Sequence, residues 1–309
     1  GVRLVGSEMC IRDRSIPLIV DSPHSGVIYP SDFNHQAEFS KLRQAEDSYV
    51  DELYNYVSEI GGVILNANFP RSYIDPNRAE TDFPSEELID FDVKKEKFLF
   101  NPTIKSELGI GLIWLRIPPN GEPMYANKIK FSEFIHRVKN YHRPYHKTLK
   151  EIMSSTYQRF GKFYHINAHS MQNKATAMSD QEKGTRRPDF VIGDRDRTSC
   201  KKEFTDLIVD FLRSLNYSVD INDPYKGMEL TDAYSDPKTN KNSVQIEVNR
   251  RLYMDEITRI KSDNFDLLKT NIGSLLNEIK LQIEKGILWI KVFSICNLIS
   301  FNRLPIFVF

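Results

Sequence analysis

The chain has 309 residues, of which 40% are hydrophobic and 27% charged, a balance typical of a globular protein rather than a disordered or fibrous one. Lysine plus arginine equals aspartate plus glutamate, 42 against 42, so the overall charge does not favour a nucleic acid or an anionic membrane as partner. No Gly-, Ser- or Pro-rich linker divides the sequence, which predicts a single domain over residues 15–286.

The cysteines and the two ends of the chain bear on the cellular compartment in which the protein is expected. Cys10, Cys200 and Cys296 are too few and too widely spaced for a disulfide framework or a cysteine zinc site, which indicates a reducing compartment and a cytoplasmic protein. Residues 1–14 have neither the apolar core of a signal peptide nor a regular period. Residues 287–309 are apolar but too often interrupted by polar side chains for a membrane span of about 20 residues. We interpret both ends as non-native or poorly ordered extensions.

Between these ends, short apolar runs alternate with longer helical patterns. The predicted strands are IPLIV at 16, GGVILN at 61, GLIWLRI at 111, FYHINA at 163, DFVIG at 189, YSVDI at 217 and VQIEV at 244. The predicted helices cover about 40–60, 126–160, 200–216 and 253–285, and Pro144 is expected to kink or break the second one. This order predicts an α/β fold in which a mixed sheet has helices packed on both faces.

Several predicted strands end in side chains that bind metals. IPLIV leads into DSPHSG with His24, FYHINA leads into HSM with His169, and the last strand carries Glu247. In open α/β sheets, ligands bind at the carboxyl ends of the strands, so these side chains are candidates for one site. Histidines and a carboxylate from separate strand ends are the ligands of a catalytic zinc site. The alternative is that the two histidines are unrelated polar residues near loops.

A zinc site of this kind needs a third protein ligand. Asp47 is our choice because it stands at the start of an amphipathic helix that can lie beside the first strand, with Asp21 and Asp51 as competitors. An acidic residue at a helix start also has an ordinary explanation in the helix dipole. His142 and His146 are spaced as in helical zinc proteases, but an arginine and a proline lie between them, so we interpret them as structural or at the rim.

Eight segments follow one another between about residue 17 and residue 256. They are DSPHSGVIYP, NFPRSYIDPNRAE, RIPPNGEPMY, HRPYH, HSM, RPDFVIGDRDRTSC, PYKGMELTDAY and QIEVNRRLYMDE. In this order they resemble the N-formylglutamate amidohydrolase family, within the wider zinc carboxypeptidase-like group of hydrolases. The resemblance implies a three-layer, phosphorylase/hydrolase-like α/β fold. It also implies a Zn²⁺-dependent enzyme that cleaves N-formyl-L-glutamate to formate and glutamate late in histidine breakdown.

The resemblance also implies roles for individual residues. His24, Asp47 and His169 correspond to the metal ligands, and Glu247 is similar to the glutamate that serves as general base. RSYIDPNR is similar to a motif that makes Arg71 the electrophile on the oxyanion and pairs Asn77 with Arg78 on a substrate carboxylate. Arg187 is a candidate for the second carboxylate.

Each of these side chains also has a purely structural interpretation. Glu247 could be the ion-pair partner of Arg250, and Arg71 and Arg78 could brace a loop through Asp75 or Glu80.

Three positions depart from the pattern of the family. Asn167 stands where an aspartate is usual, Asn242 where a histidine is common, and Met228 where a second glycine is usual. These departures bear on substrate preference more than on reaction type. They leave two alternatives open: a hydrolase of another N-acyl acidic amino acid or peptide, and a non-catalytic, metal-bearing receptor for an acidic metabolite. A small acidic molecule is the expected partner in each case.

Overall fold

A computed structural model of the chain describes residues 15–179 and 181–286. The predicted extensions, residues 1–14 and 287–309, lie outside the described residues. Within those described ranges, no helix combines the length and the apolar character that a membrane crossing requires.

The core of the fold is a six-stranded mixed sheet. Together with two separate strand pairs, the described residues form the strands β1 (Leu18–Ser22), β2 (Val63–Asn66), β3 (Leu88–Ile89), β4 (Arg116–Ile117), β5 (Glu122–Pro123), β6 (Ile129–Lys130), β7 (Phe163–Met171), β8 (Phe190–Gly193), β9 (Val219–Ile221) and β10 (Lys241–Asn249). The main sheet has the order β2-β1-β7-β10-β8-β9, while β3 pairs with β6 and β4 with β5. In the main sheet β2, β1, β7 and β10 are parallel, and β8 runs antiparallel to β10. The start of β8 therefore lies at the carboxyl end of β10.

Helices cover both faces of this sheet. They are α1 (Phe39–Leu42), α2 (Val50–Tyr54), α3 (Val93–Glu96), α4 (Ile104–Glu107), α5 (Phe131–Arg137), α6 (Arg143–Phe160), α7 (Lys202–Ser214), α8 (Glu229–Asp232) and α9 (Phe265–Glu284). One apolar cluster joins α2, α7 and α9 to one face of the sheet, and a second joins α5 and α6 to the other face. The predicted three-layer α/β class is confirmed.

The two faces of the central strands differ in chemistry. Side chains alternate across a strand, so residues two apart share a face. Toward α2, α7 and α9 the strands present apolar residues: Val20 on β1, Ile166 and Ala168 on β7, Val244 and Ile246 on β10. Toward α6 they present a polar stripe: Asp21 on β1, His165, Asn167 and His169 on β7, and Ser243, Gln245 and Glu247 on β10. This buried polar stripe leads along the strands to their carboxyl ends.

Three predicted elements are wrong in extent. The run at 111–117 does not join the main sheet: only Arg116–Ile117 forms a strand, and Leu112 pairs through its backbone with the loop residues Asp75 and Asp82. The apolar character of this run comes from packing between loops in the cluster on the α6 face. The helix predicted over 40–60 is interrupted at residues 46–49, and the last helix begins only at Phe265.

Pro144 does not break its helix. It lies at the start of α6, directly after a π-helical turn over Val138–His142 that joins α5 to α6 into one continuous segment, and it has no N–H to donate to a carbonyl of that turn. α6 ends at Gly161, whose φ of 67° is the left-handed conformation that glycine adopts readily at a helix end.

Candidate metal centre and active-site cleft

Three buried side chains converge at the carboxyl edge of the sheet. His24 follows β1, His169 lies near the end of β7, and Asp47 lies in the interruption before α2. Adjacent parallel strands bring the two histidines together, as their positions at strand ends predict. Their Nδ1 atoms are 3.0 Å apart and lie 3.3 Å (His24) and 3.2 Å (His169) from Oδ2 of Asp47. Across the described ranges, this is the only group of three or more histidine, cysteine and carboxylate side chains that could hold a metal ion.

The outer nitrogens of both imidazoles lie close to acceptors, which favours protons on these nitrogens. His24 Nε2 lies 2.7 Å from Asp75 Oδ1, and His169 Nε2 lies 2.6 Å from Asn167 Oδ1. Asn167 Nδ2 donates to Asp21, so the oxygen of this amide is the atom that faces His169. A neutral imidazole that donates from Nε2 carries a lone pair on Nδ1. The two Nδ1 atoms therefore face each other, and the carboxylate of Asp47, as acceptors.

Three acceptors at such distances repel one another unless a cation lies between them. Tetrahedral Zn²⁺ with bonds of about 2.0–2.1 Å places neighbouring ligand atoms about 3.3 Å apart, close to the separations in this cluster. The residues present thus fit Zn²⁺ or a related divalent ion, because two imidazoles and a carboxylate suit several such ions.

The second carboxylate oxygen of Asp47 contacts the buried guanidinium of Arg250. Oδ1 accepts hydrogen bonds from Arg250 Nη2 at 2.9 Å and from Ser170 Oγ at 3.2 Å. Burial alone would raise the pKa of Asp47, but the positive charge of Arg71 lowers it, and the pKa lies well below its usual value. The group is therefore ionised at neutral pH, as a metal ligand has to be.

The two competing carboxylates lie outside this cluster. Asp21 belongs to the buried layer beneath it, where Oδ1 accepts from His165 and Asn167 and Oδ2 accepts from the Tyr145 hydroxyl at 2.7 Å. Asp51 lies in the first turn of α2, and its carboxylate is not part of the group that could hold an ion. Of the three candidates that the sequence left open, Asp47 alone meets both histidines.

Glu247 lies beside the candidate metal ligands, on the next strand. β10 pairs with β7 so that Glu247 is directly opposite His169. The residue is 7% exposed, and burial raises the pKa of its carboxyl above the usual value, against the lowering effect of the charges on Arg71 and Arg187. Its Oε1 accepts from Gln245 Nε2 at 2.9 Å. Arg250 pairs with Asp47 instead of Glu247, so the ion pair suggested as a structural explanation does not form.

Arg71 and His24 share one carboxylate, Asp75. Oδ2 of Asp75 accepts from Arg71 Nη2 at 2.8 Å, while Oδ1 accepts from His24 Nε2 and from the backbone N–H of Asn77. Burial would raise the pKa of Asp75, but the charge of Arg71 and the hydrogen bond from His24 hold it well below the usual value. The suggestion that Arg71 braces its loop through Asp75 is therefore correct, yet Arg71 also lines the cleft beside the cluster.

This cleft, which we call the arginine cleft, has a volume of ≈ 150 Å³. Its charged lining residues are Arg71, Lys105, Arg78, Arg187 and Arg250, and none of the described residues that line it is acidic. Pockets for drug-sized ligands measure about 300–1,000 Å³, so this volume indicates a small ligand. The lining indicates that the ligand is an anion.

The predicted substrate-binding residues occupy different positions. Arg78 and Arg187 both line the arginine cleft. Arg187 comes just before β8, and its guanidinium donates to neutral acceptors, among them Gln172 O at 3.2 Å and Ser179 Oγ at 3.0 Å. Asn77 does not line the cleft: its Oδ1 accepts from the backbone N–H of Leu230, and its Nδ2 lies 3.1 Å from His169 Nε2. The structure thus places Asn77 behind a candidate metal ligand.

Sequence reasoning missed the layer that supports the cluster. Asp75 was considered only as a loop brace, and the residues Asp21, His165 and Tyr145 were given no joint role, although they form a buried network. A signal was present in the period-two polar pattern His165, Asn167, His169 of β7, which matches Ser243, Gln245, Glu247 on β10.

Known proteins resemble this chain along most of its length. The sequence model of the N-formylglutamate amidohydrolase family matches residues 16–254. N-formylglutamate deformylases of Pseudomonas putida and Pseudomonas aeruginosa are each 25% identical to it, over 78% of this chain and 83% of theirs. The crystal structure of N-formylglutamate amidohydrolase from Ralstonia eutropha superposes with a TM-score of 0.83 at 39% identity, covering 88% of this chain and 95% of that one.

A protein of Agrobacterium tumefaciens at 15% identity, with a TM-score of 0.59, shares the fold alone. The family match covers well over half of the chain, and the Ralstonia structure agrees with it in both sequence and architecture. On these grounds the resemblance noted in the sequence is confirmed, and the chain belongs to the N-formylglutamate amidohydrolase family.

Proposed function

We propose that this protein hydrolyses the formyl amide of N-formyl-L-glutamate to formate and L-glutamate. The observation that carries the proposal is the proximity of two features, a buried cluster of three acceptors that could hold a metal ion and a small cleft lined by arginines, which Arg250 connects because it contacts Asp47 and lines the cleft. The names of the relatives from Pseudomonas and Ralstonia support the same substrate. We place the reaction in the cytoplasm, late in histidine degradation.

His24, Asp47 and His169 would hold the metal ion, with Zn²⁺ as the proposed ion. When bound in such a site, Zn²⁺ lowers the pKa of water to about 7 and polarises a carbonyl oxygen. Asp75 and Asn167 accept from the outer nitrogens of the histidines, and so hold both rings in the orientation that binding requires.

Glu247 is the proposed general base and acid. A buried carboxyl whose pKa is raised is closer to neutral pH than an ordinary glutamate, which suits a group that both takes and returns a proton. It accepts a proton from the attacking water and delivers one to the amine nitrogen as the C–N bond breaks. General acid–base catalysis of this kind contributes typically about 10²- to 10⁴-fold to the rate.

The arginines account for the charge of the substrate. Arg71 is held by Asp75 and stacks over the Trp114 ring at 5.0 Å, a fixed position from which it stabilises the negative oxygen of the tetrahedral intermediate. Arg78 and Arg187 bind the two carboxylates of the substrate, since a guanidinium matches a carboxylate with two parallel hydrogen bonds.

Release of the carboxylic acid, formate from the N-formyl substrates and acetate from the N-acetyl substrate, tests the proposal. The purified protein is stripped with a chelator, resupplied with Zn²⁺, and given N-formyl-L-glutamate, N-formyl-L-aspartate or N-acetyl-L-glutamate. We expect metal-dependent release that prefers the first substrate, and a loss of turnover in Glu247→Gln, which keeps the shape of the side chain.

The other outcomes separate the alternatives. Preference for another N-acyl acid would identify a different amidohydrolase. Binding of N-formyl-L-glutamate by the metal-loaded protein without cleavage would identify a receptor, and full turnover in Glu247→Gln would contradict the assigned base.

A further inference from the structure

Three side chains of the segment from α5 to α6 donate hydrogen bonds to a loop that carries several residues of the site. The 71–78 loop carries Arg71, Asp75, Asn77 and Arg78. Its backbone carbonyls accept hydrogen bonds from the segment formed by α5, the π turn and α6. Arg137 Nη1 donates to Tyr73 O at 3.0 Å, His146 Nε2 to Pro76 O at 2.8 Å, and His142 Nε2 to Arg78 O at 2.8 Å.

The π turn brings these donors to one side of the helix. In an α-helix, residues five apart such as Arg137 and His142 are separated by about 140° around the axis. The wider π turn over Val138–His142 has more residues per turn, which reduces this angle. His146 follows His142 by four residues in α6, so it lies on the same side, and the two rings stack with centroids 4.2 Å apart.

The remaining contacts of the two rings are consistent with a role as neutral donors. His146 Nδ1 accepts from the Tyr234 hydroxyl at 2.7 Å, which leaves its proton on Nε2. His142 is 4% exposed, and burial lowers its pKa to about 4, so the ring is neutral at pH 7. His142 Nδ1 has no hydrogen-bond partner in the described part of the chain. Both nitrogens of His146 are engaged, and neither ring belongs to the group of described residues that could hold a metal ion.

We propose that His142 and His146 are positioning residues that fix the backbone of the 71–78 loop. By fixing this loop, they keep Asp75 in contact with His24, and they keep Arg78 in the arginine cleft. The contribution to substrate binding rests on the proposed function, whereas the restraint on the loop does not. Pro76 lies between Asp75 and Asn77, so His146 acts mainly on the support of the metal ligands. His142 holds the carbonyl of Arg78 itself and acts mainly on the cleft.

Matched substitutions at residue 142 separate positioning from simple packing. His142→Gln keeps an N–H close to the position of Nε2, whereas His142→Asn is too short to reach Arg78 O, and His142→Leu removes the donor altogether. Lys147→Leu is the control, because this residue belongs to the same segment, has a side chain 77% exposed, and pairs with Glu151 of the same helix.

Hydrogen exchange, measured by mass spectrometry on the substrate-free protein, reports directly how strongly the backbone of the loop is restrained. We expect amides of residues 71–83 to exchange about tenfold faster in His142→Leu and His142→Asn, with rates in β7 and β10 unchanged. His142→Gln restores the wild-type rate, and Lys147→Leu does not change it. Equal loop exchange in wild type, Leu and Asn variants would overturn the proposal, as would a Gln variant no better than Asn. Should the Leu variant fail to fold, the Asn and Gln pair decides alone.

Kinetics provide a second and separable result. If the protein is a deformylase, His142→Asn raises KM for N-formyl-L-glutamate about tenfold with a smaller change in kcat, and His142→Gln restores KM. If the wild type does not cleave this substrate, the proposed function fails, and the exchange rates still decide whether the histidines fix the loop. An unchanged KM in His142→Asn, in an active enzyme, would contradict the assigned effect on the cleft.

Discussion

The substitution Asn167→Asp tests the buried polar residues beneath the candidate metal centre. Asn167 Nδ2 donates to Asp21 Oδ1 at 2.8 Å, and an aspartate in its place would bring two carboxylates to hydrogen-bond distance in the protein interior. Two like charges about 4 Å apart repel by about 4 kcal/mol at an effective dielectric constant of about 20. The pair can reduce this cost by binding a proton, so we expect the free energy of unfolding to fall by roughly 2–4 kcal/mol at pH 8.

The loss of stability in the variant is expected to depend on pH, and its direction can be predicted. In the variant, the pKa of one member of the pair is raised in the folded state above its value in the unfolded chain. The folded state then holds a proton that the unfolded state has lost, so stability falls as the pH rises toward the raised pKa. The penalty relative to wild type should therefore be smaller at pH 5 than at pH 8.

Urea unfolding of the chelator-treated protein at both pH values measures this penalty. The double variant Asp21→Asn with Asn167→Asp restores a single negative charge, and we expect it to recover most of the loss. Asn140→Asp makes the same exchange on an exposed residue and should change stability by less than about 0.5 kcal/mol. A penalty that is equal at the two pH values, or a double variant less stable than Asn167→Asp, would refute the reasoning.

Further substitutions probe the site itself. Glu247→Gln should lower kcat roughly 10²- to 10⁴-fold while zinc content, measured by metal analysis, stays the same; a drop in zinc content would make Glu247 a ligand rather than a base. Asp75→Asn should weaken zinc binding roughly 10- to 100-fold in a chelator competition, because His24 loses a charged acceptor, and an unchanged affinity would exclude this role. Arg187→Lys should raise KM for N-formyl-L-glutamate roughly tenfold with little change in kcat, since lysine keeps the charge but loses the paired hydrogen bonds; unchanged KM would place the second carboxylate elsewhere.

The positions of His24 and His169 could be anticipated because they depend on local patterns alone. Each follows or ends an apolar β-branched run, and the carboxyl ends of neighbouring parallel strands meet at one edge. Asp47 was one of three possibilities, since nothing in the sequence fixes the interruption of the helix in which it lies. Asp75 contacts His24 across 51 positions of sequence, and no local pattern predicts such a pairing.

The same distinction explains the errors in secondary structure. Residues 111–117 have the composition of a buried strand because they are buried, but their backbone bonds go to loops. Composition records burial and does not record the hydrogen-bond partner, which depends on the tertiary fold. Arg187 precedes β8, and it reaches the arginine cleft only because β8 runs antiparallel to β10, a direction that a single strand does not reveal.

Gly26 bears on how enzymes of this architecture can change their substrates. A Cβ atom there would lie 2.2 Å from the carbonyl oxygen of Phe69, and the neighbouring Ile28 N–H donates to Asn68 O at 2.9 Å. The segment after β1 and the segment before the 71–78 loop therefore touch backbone to backbone, and neither can shift without the other. Under the proposed function, adaptation to a larger or smaller acyl amino acid should then occur across the cleft, in residues 172–179 and 181–187, while the side that carries the candidate metal ligands keeps its shape.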